Sequence, residues 1–280
     1  MHPVNSLTPE RLNFAVVDGL AFAATRGRLN SLRSLATTTA SDLGPFLELC
    51  QLGSDGLLPK PEHSSWLALD GVRTFYEALL SNRQQWVSPA SGRSGLFRTT
   101  ALHSADEAPW IGFGMQAQRA AMSAGFKRAP AQQIVGALGE LRDNIYEHSA
   151  KPASGLVAFK ANSGVFEFVV CDQGIGVLES LRTCEEHKSV KDYGTALTLT
   201  LTDGVSRFGS NANHGKGFRP LFLGLANMWG ALRFRSGDHA LTVDGQSPSL
   251  TTARTAEKPN LRGFFASVSC RVNGIETLRP

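Results

Sequence analysis

The chain has 280 residues, with 28 Lys and Arg against 24 Asp and Glu and a hydrophobic fraction of 42%. That fraction is too high, and the net charge of +4 too small, for a disordered chain. The basic residues are scattered rather than gathered into a run, so nucleic acid is not the expected partner.

At roughly 150 residues per domain, the length suggests about two domains. Cys50, Cys171, Cys184 and Cys270 stand far apart without a Cys-x-x-Cys pair and, on this reading, without a His at metal-ligand spacing. Both a disulfide framework and a zinc site are therefore unexpected, and reducing cytoplasm is the expected location. The most apolar early stretch, FAVVDGLAFAA, is interrupted by Asp18. It falls short of the roughly 20 apolar residues of a spanning helix, and no basic leader precedes it, so neither a membrane nor a signal peptide is expected.

Residues 1–109 form the first expected region, mainly helical and accessory. Thr8-Pro9-Glu10 resembles a helix start with Pro in the first turn. Leu43 to Leu49 and Val72 to Leu80 predict short amphipathic helices, separated by LGSDGLLPKPEHSS and followed by VSPASGRSG. No catalytic motif falls here.

Residues 110–280 form the second region. Helices are predicted from Met115 to Gly125 and from Ala129 to Ser149, then two strands with period-2 alternation, GLVAFKAN and GVFEFVVCD, joined as a hairpin at Ser163-Gly164. A DQGIG turn, a Gly- and Asn-rich region to Gly217, a helix from about Phe218 to Trp229, and strands ALRFRS, HALTVD and GFFASVSC follow. That order predicts an α/β sandwich with helices on one face of a mixed sheet.

Three segments carry candidate chemistry. On the helix ending at Ser149, Ile134, Leu138, Leu141 and Ile145 define a core-facing stripe, and Glu140, Asn144 and His148 form a row beside it. Arg142, Asp143, Tyr146 and Glu147 take the exposed positions on this reading. Asp172 ends a strand and is followed by Gly174 and Gly176, which would let a ligand lie close to the backbone. His214-Gly215-Lys216-Gly217 places glycine amides and a lysine at a predicted helix N-terminus, where anions are favoured. The Walker spacing fails there, because five residues separate Gly209 from Gly215 and Gly217 stands in the Ser/Thr place.

ELRDNIYEHS, VVCDQGIG and HGKGFRPLFLGLANMWG, in that order, resemble the boxes of the GHKL ATPases, the gyrase, heat-shock chaperone, histidine kinase and MutL type. The likeness covers about Trp110 to Val272. TALTLTLTDGVSRFGSNANHGKG resembles the helix and lid of a bacterial branch that includes anti-sigma kinases, and LRGFFASVSC the last box, with Phe264 where Thr is usual. The resemblance implies a two-layer α/β sandwich of the Bergerat ATP-binding fold, with ATP and Mg²⁺ as ligands. It implies Asn144 as the magnesium ligand, Asp172 as acceptor for the adenine amino group, and Gly174 and Gly176 against the base. Gly215, Lys216 and Gly217 would form a phosphate lid. His148, His214 and Gly263 complete the implied ATP-binding set, His148 in a structural capacity.

Glu140 stands where some members of that family activate water or a substrate hydroxyl; a structural carboxylate is the alternative. No phospho-accepting His in a long dimerisation helix precedes the domain, His103 being the nearest histidine, and no transducer domain follows. Two readings stay open: a cytoplasmic ATPase or protein kinase in signalling, or a nucleotide-gated interaction module with little turnover. A protein partner or substrate is expected in either case. Trp110, Phe113 and Met115 are either packed core or a homodimer contact.

Overall fold

The computed structural model describes residues 10–29, 38–103, 106–201, 230–243 and 253–272. Among these the fold is mixed α/β, with a small parallel sheet and a large antiparallel one.

The small sheet joins β1 (Glu10–Arg11), β2 (Thr38–Thr39) and β3 (Leu67–Ala68), two residues each and all parallel. Between β1 and β2 runs α1 (Phe14–Thr25), and between β2 and β3 runs α2 (Leu43–Ser54). Helix α1 begins later than the Thr8-Pro9 expectation because Asn13 is its cap: Asn13 Oδ1 accepts from Val16 N at 3.0 Å. Glu10 and Arg11 are in a strand instead, while Thr8 and Pro9 lie outside the described residues. Helix α3 (Arg73–Leu80) follows β3.

The large sheet has six strands. In sequence they are β4 (Gln85–Val87), β5 (Ser94–Arg98), β6 (Leu156–Asn162), β7 (Val165–Asp172), β8 (Ala231–Val243) and β9 (Arg254–Arg271), and across the sheet they run β4-β5-β6-β7-β9-β8. Every pairing is antiparallel, so the sheet is not mixed as expected. The predicted β6–β7 hairpin is present, turning at Gly164 with φ +72°. ALRFRS and HALTVD form one strand, β8, interrupted by register shifts around Gly237 rather than by a loop.

Residue alternation sends the two sheet faces into different cores. Phe166, Phe168 and Val170 of β7 pack with Ile134, Leu138, Leu141 and Ile145 of α5 (Arg128–His148) and with Phe113 of α4 (Ala108–Ser123). Val169 and Cys171 point the other way, among Phe46 and Leu49 of α2, Val17 of α1 and Phe75 of α3. Helices therefore cover both faces, not one. The two-layer description suits α4 onward, and α1, α2 and α3 add a further layer on the other sheet face, while β4 and β5 extend the sheet itself. The expected boundary at 109/110 thus cuts these two strands from the sheet to which they belong.

The seam between the N-terminal layer and the sheet carries buried charge. Glu48 of α2, fully buried, accepts from Arg233 Nε at 2.7 Å and Arg235 Nη1 at 2.6 Å, while Asp18 of α1 accepts from Arg233 Nη2 at 2.6 Å. Removing one partner of such a set would strand an uncompensated charge away from water. No helix among the described residues is long and apolar enough to cross a membrane.

Candidate functional site

Asp172 is the last residue of β7 and is 4% exposed. Its Oδ1 accepts from Gly174 N at 2.7 Å, and the main-chain N–H of Phe264 on β9 also donates to the carboxylate. Burial pushes its pKa up to about 6, and these two donors hold it back from rising further. No cation pairs with it among the described residues.

The glycines around Asp172 answer first to packing. A Cβ on Gly174 would stand 2.0 Å from Ser149 O at the end of α5, and Ile175 N donates to that same oxygen at 2.9 Å. Gly263, at φ +79°, would drive a Cβ to 2.2 Å from Asp172 O. Gly176 opens α6 (Gly176–Arg182) at φ +78°, and its Cβ would meet Ser236 Oγ at 2.6 Å. The close approach that the glycines permit is therefore of chain to chain, which presses the DQGIG turn onto α5 and β9.

That contact sets the geometry. Asn144 precedes Ser149 by five residues and Glu140 by nine, so at 1.5 Å rise per residue they lie about 7.5 and about 13.5 Å back along α5 from the turn. The core stripe of Ile134, Leu138, Leu141 and Ile145 is as expected. Beside it, Asn144 and His148 are half-buried, whereas Glu140 is exposed instead of bordering the core. Among the described residues no hydrogen bond or ion pair engages the side chain of Glu140 or Asn144. His214, Gly215, Lys216 and Gly217 lie outside the described residues, as does the predicted helix from Phe218 to Trp229.

Arg142 corrects the expectation of an exposed position, since it is 5% exposed. Its guanidinium lies 4.3 Å from the Trp110 ring centroid, and it donates to Glu107 Oε2 at 3.0 Å and to Asp143 Oδ1 at 2.6 Å. A planar cation can stack on an aromatic face while its edge serves carboxylates, so the charge is buried without being stranded. His103 joins this cluster, with Nε2 3.1 Å from Arg142 Nη2 and its ring 4.6 Å from that of Tyr146. The cluster fixes the rotation of α5 about its axis and hence the direction of the Glu140, Asn144 and His148 row.

Ser236 was missed by sequence reading, and Tyr193 and Phe264 have contacts that it did not foresee. Ser236, fully buried, accepts from Val177 N at 2.9 Å and donates to Gly263 O at 2.9 Å, joining α6, β8 and β9 behind the turn. Tyr193 opens α7 (Tyr193–Leu199), and a Cβ on Gly237 would strike its ring at 2.4 Å, so the helix expected at the start of TALTLTLTDG is set against β8. Phe264 is 8% exposed and stacks on Phe234 with centroids 6.0 Å apart, which accounts for an apolar residue in that place. No local signal could have found Ser236, because its partners are 27 and 59 residues distant.

The cysteines need one correction. Cys184 Sγ, a Glu186 carboxylate oxygen and a His187 ring nitrogen lie within 4.8 Å of one another, because the 3₁₀ turn Glu185–His187 folds them to one side. Cys184 and His187 do stand at ligand spacing, contrary to the reading above. All four thiols are free. Of the entrance residues, Phe113 is core and Trp110 packs against it, but Met115 is 51% exposed beside Ile111 at 58%.

No family model and no curated protein matches the chain. The site therefore rests on its own geometry.

Proposed function

We propose that this is a magnesium-dependent ATP-binding protein of GHKL type with a Bergerat ATP-binding fold, acting in the cytoplasm as an ATPase or protein kinase on a protein partner. The observation that carries the reading is the Asp172 carboxylate: buried, without a cation among the described residues, and held by two main-chain N–H groups at a strand end. A carboxylate so held has acceptor capacity to spare, which suits the exocyclic amino group of adenine and not the carbonyl of guanine. Its energetic cost in the free protein is relieved by a ligand that donates to it.

By resemblance, the base lies beside the turn that Gly174, Gly176 and Gly263 shape by packing onto α5 and β9. From there α5 runs toward Asn144, whose amide oxygen suits magnesium, an ion that keeps several waters and takes few protein ligands. Phosphates lying along the helix would pass His148 and Asn144 and approach Glu140. Glu140 would take the proton from water or from a hydroxyl as it attacks. By resemblance, His214, Gly215, Lys216 and Gly217 serve the phosphates.

The exposed Glu140, which no neighbour among the described residues aims, favours a second reading. In it the protein reports bound ATP to a partner with little turnover. Calorimetry with ATP and GTP in the presence of magnesium tests both readings: ATP should bind and GTP should not. Equal affinity for the two would remove Asp172 as the discriminating group and the proposal with it.

A further inference from the structure

The connection from α6 to α7 gathers three metal-binding side chains of different chemistry. Cys184, Glu186 and His187 each turn one donor atom to the same side of the 3₁₀ turn Glu185–His187, and the thiol sulfur, carboxylate oxygen and ring nitrogen lie within 4.8 Å of one another. Cys184 and His187 are half-buried and Glu186 is exposed, so the cluster opens at the surface.

The main chain on both sides of the donors is tied down. Cys184 N donates to Leu181 O at 2.9 Å, which fixes the thiol residue to the end of α6, and His187 N donates to Cys184 O at 3.1 Å, which closes the turn. Beyond it Val190 N donates to His187 O at 3.0 Å, and Arg182 Nε reaches from the end of α6 to Val190 O at 2.9 Å. Donors held by their own backbone lose less entropy when an ion binds. The neighbouring acid Glu185 pairs with Lys188, so Glu186 is the carboxylate that joins the sulfur and the nitrogen.

The donor chemistry selects the ion. Magnesium and calcium take oxygen ligands, whereas a cysteine sulfur with an imidazole nitrogen suits zinc. A thiolate and a carboxylate together offset the charge of a divalent cation, and the imidazole adds a neutral donor. Tetrahedral zinc with ligands at about 2.0 to 2.3 Å holds them roughly 3.5 Å apart, so donors within 4.8 Å of one another close by about 1.3 Å at most, within reach of side-chain rotation. Three protein donors leave the fourth position to water.

We propose that Cys184, Glu186 and His187 form a zinc site with water as the fourth ligand. Binding exchanges the thiol proton for the metal: the Cys184 S–H bond breaks, an S–Zn bond replaces one zinc–water bond, and the proton passes to solvent. The bound ion fastens the span between α6, which follows the Asp172 turn, and α7, which packs against β8. The site is independent of the nucleotide reading, which places its magnesium at Asn144.

The untagged full chain, kept reduced without thiols, is titrated with Zn²⁺ by calorimetry and with Co²⁺ by absorption spectroscopy, both in a large excess of magnesium. Zn²⁺ should bind saturably, and Co²⁺ should give the thiolate charge-transfer and d–d bands of a tetrahedral site, which Zn²⁺ then abolishes. Cys184→Ser should remove the charge-transfer band. Glu186→Gln and His187→Gln should each weaken Zn²⁺ at least about tenfold, the lower end of what even outer-shell changes cost a metal site. Glu185→Gln, which removes an acid from the same turn, should leave affinity unchanged. If Cys184→Ser fails to fold, alkylation of the unmodified chain decides, since Zn²⁺ should protect Cys184 when the modified peptides are mapped. Absence of saturable Zn²⁺ binding, or of the thiolate band, would overturn the proposal. So would displacement of Zn²⁺ by magnesium, equal losses in Glu185→Gln and Glu186→Gln, or protection confined to another cysteine.

Discussion

Gln51 reaches Asp172 from the opposite side of the sheet, its Nε2 2.8 Å from the Asp172 carbonyl oxygen. A second bond, 2.9 Å to Arg262 O, clasps the neighbouring β9, one residue before Gly263. The N-terminal layer thus holds the two strand segments that shape the Asp172 turn. Gln51→Leu removes both bonds and leaves the buried Asp172 carbonyl and the part-buried Arg262 carbonyl without this donor, so stability should fall by about 1 to 3 kcal/mol for the first and by less for the second, minus what Leu regains by apolar burial. Urea denaturation checks this. A loss under about 0.5 kcal/mol would mean that water replaces the amide freely.

The raised pKa of Asp172 gives nucleotide binding a direction in pH. Its value, raised from 3.8 to about 6, means that the free folded protein carries a proton there in mild acid. A ligand amino group that donates to the carboxylate needs it ionised. ATP affinity should therefore be flat above about pH 7 and fall about tenfold for each unit below about pH 6. Asp172→Asn should weaken binding by about 1 to 3 kcal/mol and abolish this slope. Calorimetry at two pH values on both proteins suffices, and a slope that survives in Asp172→Asn would assign it to another group.

Glu167 makes the corresponding statement about stability. Its carboxylate, 9% exposed, accepts from Leu43 N at 3.0 Å and so caps α2 from the sheet face beneath that helix, where Asp42 makes no side-chain cap bond. Burial first, and Asp42 second, raise its pKa from 4.5 to about 7, with Lys160 and Arg11 opposing. The folded state thus keeps a proton that the unfolded chain releases. Its stabilising effect is complete below about pH 4.5 and is lost as pH rises toward about 7, a swing on the order of 3 kcal/mol. Glu167→Gln retains an acceptor for Leu43 N without titrating, so denaturation midpoints should depend less on pH across this window. Unchanged pH dependence would mean that Glu167 ionises normally.

Much of the second region was legible because its signals are local. The period-3.6 stripe of α5 and the alternation of β6 and β7 each lie within about twenty residues, and the hairpin turn adds a glycine. The N-terminal layer was legible in part: the helices expected at Leu43 and Val72 are α2 and α3, but strands of two residues such as Thr38–Thr39 have no period to detect. Charge misled in a second way. Arg142 was placed on the surface by its type, yet Trp110 and Glu107 bury it. Arg233 and Arg235 are buried by Glu48, more than 180 residues away, which no window along the chain can reveal. Of the site, Asp172 and its glycines were found by sequence, but Gly174 is required chiefly because Ser149 O stands where its Cβ would be.

Ala150 follows the last residues of α5 with φ +55°, a left-handed conformation in which a Cβ is strained. It is exposed, so its methyl contributes little packing. Ala150→Gly should stabilise the protein by about 0.5 to 1 kcal/mol, the strain relieved exceeding the added entropy of the unfolded chain. Thermal unfolding checks the sign. A lower midpoint would show that the helix end relaxes to accommodate alanine.

Glu140 and Asn144 lie one turn apart on α5 and separate chemistry from binding. Asn144 is half-buried and nearer the Asp172 turn, Glu140 exposed and farther from it. If the phosphates run along the helix from the turn, Asn144→Ala should remove the magnesium-dependent part of ATP affinity while leaving adenine selectivity intact. Glu140→Ala should leave affinity nearly unchanged and lower turnover by about 10²- to 10⁴-fold, the scale of a general base. Calorimetry with and without magnesium, together with a phosphate-release assay, distinguishes the two. Full turnover in Glu140→Ala would exclude it as the base. Turnover undetectable in the unmodified chain, with ATP bound, would leave the nucleotide-gated module as the function, since affinity and adenine selectivity need no base at all.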